Sequence, residues 1–216
     1  MGEIEMAINF KNVDSIIFDL DGTLWDSRKE VSDAWSEIMS KYDYDRKSIT
    51  FQEINDLMGK TIDEIEDLLY PELPKEKRTE ILYECGENEI DYLSRHGAKL
   101  FDNLEDTLDK LSKKYKLFIV SNSQPVYIEV FLDYYNLNKY FVDHECPKSA
   151  DVVKSDNIKL IVNRHNLKHA VYVGDTQGDA NATKDAGLEF VFASYGFGHV
   201  EEYQHKLEKI EDLLEV

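Results

Sequence analysis

Ser15-Ile16-Ile17-Phe18-Asp19-Leu20-Asp21-Gly22-Thr23 is the stretch on which the fold turns. Its apolar part runs without alternation, as a strand covered on both faces does. It then stops on two acids two residues apart, followed by a glycine that permits a sharp turn. Asp-Gly is an ordinary turn signal, but that explains Asp21-Gly22 and leaves Asp19 directly on the apolar run. Three further runs have the same continuous character: Leu117-Phe118-Ile119-Val120, Ala170-Val171-Tyr172-Val173 and Phe190-Val191-Phe192-Ala193. Between them the apolar residues change to helical spacing. Leu104, Leu108 and Leu111 precede the second run, and Ile158, Ile161 and Val162 precede the third. Strands alternating with helices predict an α/β protein with a doubly wound parallel sheet.

One connection is too long for this scheme. The first run ends at Asp19 and the second at Ser121, far beyond the roughly 30 residues of a βαβ unit. The excess, Arg28 to Gly97, contains no convincing strand. Ser27-x-x-Glu30 and Thr61-x-x-Glu64 are spaced as capping boxes, and Ile62, Ile65, Leu68 and Leu69 form an apolar stripe. Pro71 and Pro74 punctuate, and Lys75 to Ser94 reads as a longer helix weakened by Gly86. The expectation is a helical insert, placed as a lid over the sheet.

Composition sets limits on partners. Lys plus Arg total 25 against 44 Asp plus Glu, a net charge of −19 over 216 residues. Such a chain repels a polyanion and an anionic membrane surface, which excludes non-specific nucleic-acid binding. A small ligand with one phosphate is not excluded, because a local site can oppose the global field. No apolar run approaches the ~20 residues of a membrane span. MGEIEMAINF lacks the basic start and apolar middle of a signal peptide, and Gly2 is followed by Met6 where acylation wants Ser or Thr. With Cys85 and Cys146 isolated, the expected setting is a reducing cytoplasm, and the expected role of both thiols is packing. A monomer is expected.

In open α/β sheets ligands bind beyond the carboxyl ends of the strands. Asp19 and Asp21 end the first strand. Ser121-Asn122-Ser123 end the second, as an anion site or as a cap for the helix after Pro125. Gly174-Asp175-Thr176-Gln177-Gly178-Asp179 end the third. Asp19, Asp21, Asp175 and Asp179 cannot all stay ionised side by side without cations, and hard oxygen ligands of this kind suit Mg²⁺. A lysine is expected beside them: Lys154 opens the helix before the third strand, with Lys148 and Lys159 as rival positions.

Taken together these motifs resemble the haloacid dehalogenase-like hydrolase superfamily, in its phosphatase branch with a helical cap inserted after the first motif. Asp19-Leu20-Asp21-Gly22-Thr23 is similar to the nucleophile motif, Ser121 to the second, Lys154 to the third and Gly174-Asp175-x-x-x-Asp179 to the fourth. The family often has Lys-Pro at the third motif, where this chain has Lys154-Ser155. The likeness spans residues 14 to 200. It implies a Rossmann-like core made of 1–27 and 98–216, with 28–97 as the cap. It also implies a Mg²⁺-dependent phosphatase acting on a small phosphorylated metabolite through an aspartyl phosphate. In that reading Asp19 is the nucleophile and Asp21 the general acid and base. Ser121, Asn122 and Lys154 bind the phosphoryl group. The metal sits on Asp19, a backbone carbonyl of the Leu20-Asp21 segment, Asp175 and, directly or through water, Asp179. Asp21 sets the phosphate-ester branch apart from the dehalogenase and phosphonatase branches, which lack an acid there.

Two alternatives stand beside it. A sugar-phosphate mutase of the β-phosphoglucomutase type shares the core but carries a His soon after the nucleophile motif, and here none occurs before His96. A catalytically silent binding domain would be expected to lose Asp19 or Asp21. In the lid, Met58-Gly59-Lys60-Thr61 offers Lys60 as a specificity residue for an anionic substrate, or as a solvated lysine at a helix start. Trp25 lines the entrance or packs beneath the lid.

Overall fold

The four apolar runs form the centre of a single six-stranded parallel sheet in the computed structural model, which describes residues 12–58, 60, 62–149 and 152–215. The N-terminal stretch read for a signal peptide and an acylated Gly2 lies outside the described residues, as do Gly59 and the Thr61 cap. In chain order the first elements are β1 (Ser15–Phe18), β2 (Trp25–Asp26), α1 (Arg28–Met39), α2 (Phe51–Leu57), α3 (Ile62–Leu69), α4 (Lys75–His96) and β3 (Lys99–Leu100). There follow α5 (Leu104–Leu111), β4 (Lys116–Val120), α6 (Tyr127–Tyr134), β5 (Phe141–Glu145) and α7 (Lys154–Arg164). The last are β6 (Ala170–Gly174), α8 (Gln177–Ala186), β7 (Glu189–Ala193) and β8 (His205–Leu207).

The sheet order is β5-β4-β1-β6-β7-β8. β1 lies between β4 and β6, with Phe18 level with Ile119 on one side and Val173 on the other. The chain crosses first to one side of β1 and later to the other, so the crevice of the topological switch opens at the carboxyl ends of β1, β4 and β6. Alternation along each strand feeds two cores. Ile17, Phe118, Val120 and Tyr172 pack on Ile158, Ile161 and Leu167. Ile16, Phe18, Ile119 and Val173 belong to the opposite layer with Leu104, Leu108, Ile128 and Phe131.

The four helices α1–α4 lie between β2 and β3, and these two short strands pair antiparallel as the stem through which the chain leaves and returns. Val31, Trp35, Ile54, Leu82 and Cys85 are buried where the helices meet, continuous with the adjoining sheet layer. Cys85 is buried and Cys146 half-buried, both as free thiols. The helix expected over Lys75 to Ser94 runs on to His96 and ends at Gly97, whose φ of 64° needs glycine.

Three sequence expectations are corrected here. Ser27 precedes α1 in helical geometry and makes no cap with its side chain, which turns to Asp21 instead. Ser-Asn-Ser does not cap α6, which starts after Val126 at a left-handed φ of 76°. The apolar stripe of α3 is not buried as a unit: Leu69 is, but Ile62 is 58% and Leu68 56% exposed, and the buried neighbour is Glu66. Ile62 and Ile65 instead line the cavity described below.

Tyr135 holds the returning chain. Its hydroxyl accepts from the Ala98 N–H at 2.8 Å and donates to the Ala98 carbonyl. Tyr135→Phe removes the hydroxyl and with it both hydrogen bonds to Ala98. The expected loss is about 1 kcal/mol of unfolding free energy, read from the urea midpoint at constant slope. An unchanged midpoint would mean that water replaces the clamp.

Candidate active site

Asp19 leaves β1 with its N–H bonded to the Val173 carbonyl at 2.8 Å, which fixes it beside β6. Its Oδ1 takes a hydrogen bond from Lys154 Nζ at 2.7 Å, and the same ammonium reaches Asp179 Oδ1 at 2.6 Å. All three side chains are buried. Lys154 is the first residue of α7, so the sequence-predicted position is the one the fold carries into the crevice. Lys148 pairs with Glu145 and is largely exposed, and Lys159 is exposed on α7. Asp179 is held from its other oxygen by the N–H and hydroxyl of Thr176, in a capping box that starts α8. Asp175 Oδ2 accepts from the N–H groups of Phe197 and Gly198 at 2.7 and 3.0 Å. Gly22, with φ 83°, closes on the Asp175 carboxylate so tightly that a Cβ there would lie 2.2 Å from Oδ2.

The electrostatics follow from burial. It pushes the Asp19 carboxyl well above the carboxylate range; Lys154 opposes this, and Asp179 and Asp175 add to it. Asp175 is pushed up to about 7, by burial first and then by Asp179.

Asp21 has a different environment, because the chain bends after Asp19 and separates the two carboxyls. Asp21 Oδ1 accepts from Ser27 Oγ at 2.5 Å, from Trp25 Nε1 at 2.9 Å and from Tyr127 OH at 2.9 Å. Burial raises its pKa against the pull of these three donors. With Oδ1 saturated as an acceptor, a proton retained by Asp21 sits on Oδ2. Trp25 is fully buried, so of its two expected placements the structure shows packing, edge-on to Tyr127 and Phe131.

Asp19, Asp21, Ser121, Asn122, Lys154 and Asp179 all line one cavity of about 280 Å³, and Lys60 lines it from the insert side. Ser121 Oγ accepts from the Ser123 N–H at 3.2 Å, bending the loop after β4 around that cavity. Sequence reasoning missed Ser27 and Tyr127, which hold Asp21, and two acids of the insert, Glu66 and Glu89. Only Ser27 carried a local signal, and its capping spacing pointed elsewhere.

The donor set fits a hard divalent cation. Asp19, Asp175 and Asp179 each bring one oxygen within 4.8 Å of the others, the one such group among the described residues. Asp175 Oδ1 is buried with no hydrogen-bond partner, and a sealed carboxylate oxygen needs a cation or a donor. The Asp21 carboxylate is not part of this group.

The comparisons with known proteins agree with this geometry. Residues 16–193 match the family model for haloacid dehalogenase-like hydrolases. A phosphoglycolate phosphatase of Aliivibrio fischeri is 25% identical over 210 residues, covering 89% of this chain and 88% of that protein. One of Aquifex aeolicus is 27% identical over 195 residues, covering 84% and 85%. A haloacid dehalogenase-like hydrolase of Streptococcus pneumoniae superposes with a TM-score of 0.79 at 22% identity, covering 95% of this chain and 98% of that one. The chain belongs to the haloacid dehalogenase-like hydrolase family. Within it the chain falls in the capped phosphatase branch, as a hydrolase. No helix among the described residues is long and apolar enough to cross a membrane.

One group in the cavity wall makes stability depend on pH. Burial pushes the Glu89 carboxyl from 4.5 up to about 8, the Trp35 Nε1–H at 2.6 Å opposing. The folded chain holds this proton to higher pH than the unfolded chain does. The contribution is therefore full below the unfolded value and is lost as pH rises through the folded one. Glu89→Gln has nothing to lose. Its stability relative to the parent rises by about 1–2 kcal/mol between pH 6 and pH 8, measured by urea unfolding at each pH. A pH-independent difference would overturn the assignment.

Proposed function

We propose that this chain is a magnesium-dependent phosphatase that hydrolyses a small phosphomonoester through a phosphoaspartate on Asp19. The observation that carries the reading is the pairing of two unlike carboxyls in one cavity. Asp19 is fixed by Lys154 through one oxygen, and its Oδ2 accepts no hydrogen bond from a described residue. Asp21 has no cation against it among the described residues and is fixed by three neutral donors on one oxygen, which leaves Oδ2 as the position for a proton. A nucleophile and an acid in the same site need that difference.

In the first step Asp19 Oδ2 attacks phosphorus as the bond to the leaving oxygen breaks, and Asp21 delivers its proton to that oxygen. In the second step Asp21 takes a proton from water. That water attacks phosphorus, the bond to Asp19 breaks, and inorganic phosphate and both free carboxyls are regenerated. Lys154, Ser121 and Asn122 bind the phosphoryl oxygens and the charge that grows on them. Asp19, Asp175 and a backbone carbonyl of the Leu20-Asp21 segment would hold the metal, which when bound offsets negative charge on the phosphoryl group. Asp179 positions Lys154 and supports the metal site, since both of its oxygens already have protein partners. The helices of 28–97 act as the cap over this site. The curated relatives are named phosphoglycolate phosphatases, which supports a small phosphomonoester as the substrate.

Asp19→Asn is expected to abolish release of p-nitrophenol from p-nitrophenyl phosphate in the presence of Mg²⁺. Turnover retained by a clean preparation would overturn the nucleophile assignment. Asp21→Asn is expected to slow turnover by about 10²–10⁴-fold. Treatment with EDTA is expected to abolish the activity and added Mg²⁺ to restore it; activity that survives chelation would remove the metal from the reading.

A further inference from the structure

The cavity over Asp19 has two unlike sides. The sheet side carries the phosphoryl chemistry. The insert side is largely apolar, built by Val31, Trp35, Ile54, Leu57, Ile65 and Leu82, with two carboxyls set into it, Glu66 on α3 and Glu89 on α4. Glu66 is only 4% exposed and Glu89 8%. Among the described residues Glu89 has one hydrogen-bond partner, Trp35 Nε1 on Oε2, and none on Oε1. The Glu66 side chain makes no hydrogen bond or ion pair with a described residue. An acid in an apolar wall is costly unless a donor meets it. The insert contributes one cation to the cavity lining, Lys60, and that side chain is exposed. An exposed ammonium is screened by water and salt and offsets little of the cost of a second buried anion.

We propose that Glu66 and Glu89 select the leaving group: the preferred ester carries hydroxyl or ammonium donors on an apolar stem, and one carrying a second anion is disfavoured. The inference rests on the phosphatase reading of Asp19 and Asp21 and names the class of substrate for that site. A donor on the leaving group reaches the carboxyl oxygens that the fold leaves without partners. A carboxylate in the same place lies against an apolar wall, with no buried cation of the insert among the described residues to meet it. Lys60, read from the sequence as the contact for an anionic substrate, is thereby reduced to a residue of the rim.

The test is a comparison of kcat/KM with Mg²⁺ for ethanolamine phosphate, glycerol phosphate and phosphoglycolate, with p-nitrophenyl phosphate as reference. At least one of the first two is expected to exceed phosphoglycolate by roughly tenfold or more, the size of one hydrogen bond to a charged group. Which of the two leads tells an ammonium from a hydroxyl. Glu66→Gln and Glu89→Gln are expected to shrink that ratio severalfold, mainly through KM, with circular dichroism checking the fold. Should either variant fail to fold, the ranking by the parent protein decides. A preference for phosphoglycolate, above all one that Lys60→Ala removes, overturns the proposal, as does a ratio that neither acid variant moves. Turnover of p-nitrophenyl phosphate with phosphoglycolate leading sinks this inference alone. No turnover of any ester sinks the phosphatase reading and this one with it.

Discussion

The Lys154 ammonium, shared between Asp19 and Asp179, is the contact on which the site depends. Three buried carboxylates crowd the carboxyl edge of the sheet, and this is the one ammonium among them in the described residues. Removing a single partner from such a buried set leaves uncompensated charge, at a cost of about 3–5 kcal/mol. The contact also needs the whole topology. Asp19 comes from the end of β1, Lys154 from the start of α7 and Asp179 from the first turn of α8. They meet because β6 pairs with β1 and its flanking helices pack on the same face. Tyr172 of β6 completes the floor: its hydroxyl bonds to the Val120 carbonyl at 2.8 Å, and its ring lies 5.8 Å from the ammonium.

A second set of contacts ties the insert to this chemistry. Arg28, the first residue of α1, holds both oxygens of Asp26 at 2.9 Å and reaches Asn55 on α2. Its guanidinium stacks 4.4 Å from the Phe51 ring of the insert and 3.8 Å from the Phe197 ring of the core. Phe197 is also the residue whose N–H binds Asp175. The insert and the loop that binds an expected metal ligand are therefore joined through one planar cation that contacts an aromatic ring of each. Asp21 is held in the same region by Trp25, Ser27 and Tyr127, so Asp21 and the start of the insert are fixed together.

The central strands were legible because a strand buried on both faces must be apolar throughout. The edge strands were not. Phe141-Val142-Asp143-His144-Glu145 mixes charge with apolar residues because β5 borders only β4, and His205-Lys206-Leu207 is too short to show a period. Asp19, Asp21, Asp175 and Asp179 could be read from position, since acids beyond buried strands are conspicuous, whereas Lys154 had Lys148 and Lys159 as rivals until the fold put both of those on the surface. Ser27 could not be read correctly. Its spacing to Glu30 fits a cap, and only the three-dimensional approach of Tyr127 and Asp21 reveals that its hydroxyl is used elsewhere. Asp179 satisfied two readings at once, cap and site, because its two oxygens face different partners. Glu66 and Glu89 sit among many acids of an acidic helical segment, and no local pattern separates the two that turn inward.

The strongly negative chain still presents a site for a phosphate ester, and range explains why. At ordinary ionic strength exposed charges are screened beyond ~10 Å, so most of the −19 is remote from the crevice. What a ligand meets is local: three carboxylates, one ammonium and the buried acids of the insert. With all three carboxylates ionised, Lys154 leaves that cluster two negative charges in excess, and a divalent cation balances them. The phosphoryl end can then be accommodated by the sheet side. At the other end of the cavity the wall is largely apolar, and among the described residues the insert brings no buried cation to it. The same electrostatic constraint that requires a cation under the phosphate therefore favours donors, not a second anion, on the group that leaves.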